Sequence, residues 1–143
     1  MNHIGFTGTR SKITNEQQTA LRQIFYEIDQ LTQRFVPVLH HGDCIGADAW
    51  AHELAREKDW EITIHPPTDN KARAFCQGYT RINPPASYME RNQAIVDAAD
   101  QLIAVLDGPE RPRSGTWATV RRAQQRGIPI TMVWPSGQTT EER

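Results

Sequence analysis

The feature that most constrains this chain is a regular alternation between two kinds of segment. Short apolar runs, "HIGFT" (3–7), "FVPVLHH" (35–41), "EITIH" (61–65), "QLIAVL" (101–106) and "IPITMVW" (128–134), are separated by stretches whose apolar residues recur every three or four positions. Runs of that length read as strands, and the longer period reads as one face of a helix. Strands alternating with helices call for a parallel sheet covered on both faces, since each crossover is right-handed. The predicted fold is an α/β, Rossmann-like three-layer domain with a mainly parallel, about five-stranded, doubly wound sheet. Pro37 marks the second run as an edge or irregular strand.

The helix boundaries carry their own signals. Thr14 opens T-N-E-Q and Ser87 opens S-Y-M-E, both capping-box patterns. Leu21, Ile24, Phe25, Ile28 and Leu31 follow the first as an apolar face; Met89, Ala94, Ile95 and Ala98 follow the second. Ala47 to Ala55 and Thr116 to Arg126 read as two more helices, the latter stopped by Gly127. Residues 66–86 have no usable period and read as a functional loop or lid with a short helix of its own. Residues 1–135 are predicted to form one domain, and residues 136–143 a polar tail that frays.

The 143 residues suffice for one core and not two. With 16 basic and 17 acidic residues the net charge is −1, which argues against a nucleic-acid-wrapping protein. No run approaches the roughly 20 apolar residues of a membrane span, and the N-terminus lacks a signal-peptide core. Cys44 and Cys76 read as reduced thiols of a cytoplasmic protein.

In a doubly wound sheet ligands bind beyond the carboxyl ends of the strands. "TGTR" after the first strand offers Gly8, Thr9 and Arg10, the last a bidentate phosphate donor. "HHGDCIGADAWAH" after the second offers Gly42, Asp43 and Gly46, with Asp43 placed to accept from sugar hydroxyls; the reading of Asp48 is a helix-dipole partner. The spacing is not that of a dinucleotide fingerprint, and no cofactor is called for. His40, His41, Asp43, Cys44 and His52 lack the spacing of a zinc site, so no metal is expected. Arg91 and Asn92 lie one turn into the helix after the long loop. "RSGT" places Ser114, Gly115 and Thr116 where a polar loop opens a helix, so backbone N–H groups there are free to hold a phosphate.

Taken together, "GFTGTR", "HGDCIGADAWAHELA", "MERNQAIVDAADQLIAV" and "SGTWATVRRAQQRGIPI" resemble the SLOG superfamily. That superfamily joins the LOG phosphoribohydrolases, the DprA/Smf DNA-processing proteins and small YspA/YpsA-related proteins, and the resemblance in length and motif style is greatest to the last. It implies a single SLOG-type domain that binds a nucleotide or nucleotide derivative. The LOG enzymes use an arginine, matched by Arg91, and a glutamate of the glycine motif, whose place is held by Thr119. Cleavage of an N-glycosidic bond wants a carboxylate near the sugar. If this chain is a LOG-type hydrolase or transferase, Arg91 with Asp43, Asp48, Glu90 or Asp107 would have to serve, Asp43 or Glu90 first among them. A DprA-like DNA-binding module is the third reading, weakened by the charge balance. The predicted partner is a small nucleotide-derived molecule, with no membrane and no nucleic acid; a homo-oligomer is compatible with the sequence.

Overall fold

The computed structural model describes residues 2–143. Its elements run β1 (His3–Gly8), α1 (Asn15–Leu31), β2 (Val38–His41), α2 (Ala47–Glu57), β3 (Glu61–Ile64), β4 (Arg81–Ile82), α3 (Tyr88–Ala98), β5 (Gln101–Val105), α4 (Gly115–Arg126), β6 (Ile130–Val133) and β7 (Thr139–Glu142). They build a mixed α/β fold with a seven-stranded sheet in the order β4-β3-β2-β1-β5-β6-β7. All pairs are parallel except β6 with β7. The chain moves outward from β1 to β4 and then returns to place β5 on the other side of β1. That reversal leaves a crevice between β1 and β5.

Strand alternation sorts the core into two layers. Ile103 and Val105 of β5 join Phe6, Leu21, Phe25 and Leu54 on the face covered by α1 and α2. Leu102 and Ala104 join Val96, Trp117, Val120 and Met132 on the face covered by α3 and α4. The period of two along a strand is what sends neighbours to opposite layers.

Helix α1 begins as its sequence predicts: Thr14 Oγ1 accepts from Gln17 N at 3.0 Å, and Thr14 N donates to Gln17 Oε1 at 3.0 Å. Gln17 also enters the core, donating through Nε2 to Leu106 O at 2.7 Å. Leu21, Phe25 and Ile28 are buried, while Leu31 has turned out to solvent. In α3 the buried face differs from the predicted one. It consists of Arg91, Asn92, Ile95 and Val96, and Met89 is exposed.

Three expectations need correcting. β2 is neither an edge nor irregular: it pairs with β1 and β3 on its two sides, because Pro37 falls just before its first residue. Residues 66–86 contain no helix: they carry the two-residue strand β4 and the isolated bridges Cys44–Arg73 and Pro67–Ala86. The polar end of the chain is not frayed, since Thr139–Glu142 pairs with β6 through backbone bonds that ask nothing of side-chain hydropathy. The sheet therefore exceeds its predicted count by β4 and β7. No described helix is long and apolar enough to cross a membrane.

Candidate functional site

The crevice at the strand reversal holds a cavity of about 530 Å³. Its walls come from four chain segments. The end of β1 gives Gly8, Thr9, Arg10 and Ser11; the turn after β2 gives Gly42 and Cys44, with Asp48 of α2; α3 gives Tyr88, Arg91 and Asn92; residues 107–116 lead into α4.

The α4 wall is the open one. Ser114 caps the helix weakly, its Oγ accepting from Trp117 N at 3.3 Å. The amides of Gly115 and Thr116 fall in the first turn and have no intrahelical acceptor. Nothing lies within 4 Å of where a Gly115 Cβ would stand, and both residues line the cavity. The residue before the cap, Arg113, holds φ at 60°, an uncommon left-handed conformation for a side-chain-bearing residue. Such strain clusters where geometry serves a site. Among the described residues neither Arg113 nor Arg10 forms an ion pair, and Arg10 rests over the Tyr88 ring at 4.9 Å. Arg111 differs: it clamps Asp107 at 2.6 and 3.1 Å, and that hydrogen-bonded partner holds the Asp107 carboxyl below its usual range.

The opposite wall is built around Arg91, which is buried. Its Nη1 donates to Gly42 O at 2.6 Å and His65 O at 3.3 Å, and its Nε donates to Asn92 Oδ1 at 2.8 Å. Among the described residues Nη2 meets only the Cys44 sulfur, at 3.9 Å. A Cβ on Gly42 would stand 2.6 Å from the guanidinium carbon, so any side chain there would displace this guanidinium. Gly46 opens α2 at φ 87°, a left-handed conformation glycine adopts freely, pressed against the carbonyls of Thr9 and Arg10.

Nine of the residues singled out in the sequence line this cavity: Gly8, Thr9, Arg10, Gly42, Arg91, Asn92, Ser114, Gly115 and Thr116. Four do not. Asp43 is fully buried and faces away, gripping the 66–86 segment through Arg73 Nε at 2.8 Å and Cys76 N at 2.8 Å. Its two oxygens are thereby engaged, so it is not free for sugar hydroxyls. Glu90 is exposed and closes its own helix cap with Ser87. Gly46 shapes the turn behind the wall, and Thr119 donates to Gly115 O at 2.9 Å inside α4. Neither Asp43 nor Glu90 is placed to act as a catalytic carboxylate in this cavity. None of residues 66–86 lines it either.

Asp48 and Asp107, named from the sequence as stand-in carboxylates, also line the cavity, and sequence reasoning missed Tyr88, Arg111 and Arg113 as wall residues. Arg113 was legible as the neighbour of the cap. Tyr88 and Asp48 depend on how α3 and α2 lean over the sheet, which no local pattern carries.

Away from the cavity, the ligand atoms of His41, His52 and Cys76 lie within 4.8 Å of one another, a proximity that spacing alone did not reveal. Hydrogen bonds already engage the imidazoles. Asp43 N donates to His41 Nδ1, which leaves the His41 proton on Nε2 to donate to His52 Nδ1 at 2.9 Å. His52 Nε2 in turn donates to Gln77 O at 2.6 Å. A metal would have to displace these protons, and the trio is better described as a bridge from β2 to the 66–86 segment. A second histidine ladder crosses the strands, from Asn83 Nδ2 to His65, His40 and His3 at 3.0, 2.9 and 2.9 Å. Burial pushes His40 and His65 down to about 4, helped by nearby positive groups, and pushes His41 down as well.

No protein-family model matches the sequence, and no curated protein does. Among solved structures, the molybdenum cofactor binding protein from the phototrophic bacterium Rippkaea orientalis is similar at 19% identity and a TM-score of 0.70, covering 93% of this chain and 76% of that one. The structural-genomics target TM1055 is similar at 17% identity and a TM-score of 0.62, covering 91% and 72% respectively. The likeness is one of fold: both share the layered α/β architecture that creates the crevice.

Proposed function

We propose that this chain is a SLOG-type protein that binds a nucleotide or nucleotide derivative, with phosphate held over the start of α4. The observation that carries the reading is a set of uncommitted donors on one wall. The Gly115 and Thr116 amides, the Ser114 and Thr116 hydroxyls, and the guanidiniums of Arg10 and Arg113 line one cavity, with neither arginine in an ion pair among the described residues. The two carboxylates of its wall are held elsewhere, Asp107 by Arg111 and Asp48 by the Gly42 and Cys44 amides. A helix N-terminus favours an anion through both its free N–H groups and its dipole. Gly8 and Thr9 shape the adjoining floor, and Gly42, Arg91 and Asn92 hold the far side rigid. A cavity of about 530 Å³ is within the usual size for a small-molecule site. The fold neighbour from Rippkaea orientalis is itself a cofactor-binding protein, which supports a small ligand over a nucleic-acid strand.

Binding is favoured over turnover. The position where LOG enzymes carry glutamate is Thr119, whose hydroxyl is engaged within α4. The test is equilibrium titration of the purified chain with nucleoside mono- and diphosphates, with base release followed in parallel. Saturable binding without base release is expected. Rapid release of free base would establish the hydrolase reading instead, and no saturable binding of any phosphate ester would refute the ligand class.

A further inference from the structure

The cavity offers a ligand one sizeable apolar surface. Of the apolar residues in its wall, Phe6 is fully enclosed, Ile95 is 2% exposed and Cys44 is 5% exposed. Tyr88, the first residue of α3, is only half-buried. The rest of the wall is polar, charged or glycine.

Two guanidiniums attend the Tyr88 ring, and both belong to the same wall. The guanidinium carbon of Arg10 lies 4.9 Å from the ring centre, and that of Arg91 lies 5.4 Å from it. They differ in freedom. Arg91 is buried and donates to Gly42 O, His65 O and Asn92 Oδ1. Arg10 is exposed and forms no ion pair among the described residues. A cation over an exposed ring is weakly held, whereas an arginine–phosphate fork is a strong, charge-assisted pair. The cover on the ring is therefore the exchangeable one, and Arg91 is the fixed one.

We propose that Tyr88 is the platform on which the base of the ligand stacks, with Arg10 leaving the ring for the phosphate as the base takes its place. The inference rests on the phosphate reading above, which already counts Arg10 among the donors, and adds the residue that reads the other end of the ligand. Arg91 limits what can occupy the ring. A cationic group would meet its fixed charge, while a neutral heterocyclic base meets none and brings a π face of its own. Stacking of this kind is tolerant of base identity, so Tyr88 selects for a base and not for a particular one.

The experiment compares the affinities of adenosine 5′-monophosphate and ribose 5-phosphate at pH 7.5. Wild-type protein is expected to prefer the nucleotide by about tenfold or more, the worth of one base–aromatic stack. Tyr88→Leu keeps an apolar side chain and removes the π face. The preference should fall to about one, with ribose 5-phosphate bound no more weakly, since Arg10 then has no ring to leave. Tyr88→Phe should keep the preference. A wild-type preference near one, a preference that survives in folded Tyr88→Leu, or one lost in Tyr88→Phe overturns the role of Tyr88 and leaves the anion site standing. Failure of both esters and of inorganic pyrophosphate to bind overturns the phosphate reading, and this inference falls with it. If Tyr88→Leu does not fold, the ring-proton resonances of Tyr88 in the wild-type protein decide, assigned by their loss in Tyr88→Phe. The ring current of a stacked adenine should shift them much further than ribose 5-phosphate does, and equal shifts overturn the assignment.

Discussion

Two strand-to-helix turns in this molecule look alike in sequence and have opposite chemistry. "GDCIGAD" leads from β2 into α2, and "RPRSGT" leads from β5 into α4; each pairs glycine with polar residues at a helix start. In the first, most polar groups are engaged internally. Asp43 holds Arg73 and Cys76, one Asp48 oxygen holds two amides, and Gly42 O holds Arg91. In the second, among the described residues, the first amides of α4 and Arg113 are left free, and only Arg111 is held, by Asp107. A turn of glycine and polar residues makes a structural clasp in one place and an open surface in the other. What separates them is the neighbour: α3 and the 66–86 segment press on the first turn, and nothing presses on the second.

The comparison breaks most visibly at Asp43. Asp43→Ala leaves the largely buried Arg73 without its carboxylate and frees the Cys76 amide. Removing one member of a buried pair costs about 3–5 kcal/mol, read as a lowered urea midpoint. A loss below about 1 kcal/mol would mean the clasp does not hold this side of the molecule.

Acid should attack the same side. His40 and His65 titrate near 4 in the folded chain against 6.5 when free, and His41 is lowered too. Between those values the unfolded chain binds more protons, so stability is full above pH 6.5 and lost as pH falls toward 4. Asp48, raised to about 6, works in the opposite sense and offsets part of the loss. A net fall on the order of 3 kcal/mol is expected across that window. Chemical unfolding at a series of pH values measures it, and a flat profile would show that the histidine ladder is not held neutral.

The open turn should respond in binding and not in stability. Gly115→Val meets no protein atom within 4 Å, so the melting temperature should barely move. Its branched side chain would stand over the amides where a phosphate approaches, and affinity should fall tenfold or more, about 1.4 kcal/mol. Unchanged affinity in the folded variant would move the phosphate elsewhere.

The layered fold and nine wall residues were legible because strand runs, capping boxes and glycine turns are local signals. Thr14, Ser87 and Ser114 cap where their patterns say. Strands β4 and β7 were not legible: "RI" is too short to show a period, and "TTEE" pairs through its backbone with no apolar face. The buried face of α3 was misread because Arg91 and Asn92 occupy it one turn before Ile95 and Val96, and a buried guanidinium looks polar to any periodicity. The misreading of Asp43 has the same origin, since the partners that engage it, Arg73 and Cys76, come from a segment distant in sequence.

The central claim is that the anion binds at α4 and not at the α2 turn. Backbone amide resonances of the two turns, followed by nuclear magnetic resonance while inorganic pyrophosphate is added, test it directly. The account predicts saturable shifts at Gly115 and Thr116 with Asp43 and Cys44 nearly still. Shifts concentrated at Asp43 and Cys44, with Gly115 and Thr116 unmoved, would contradict it.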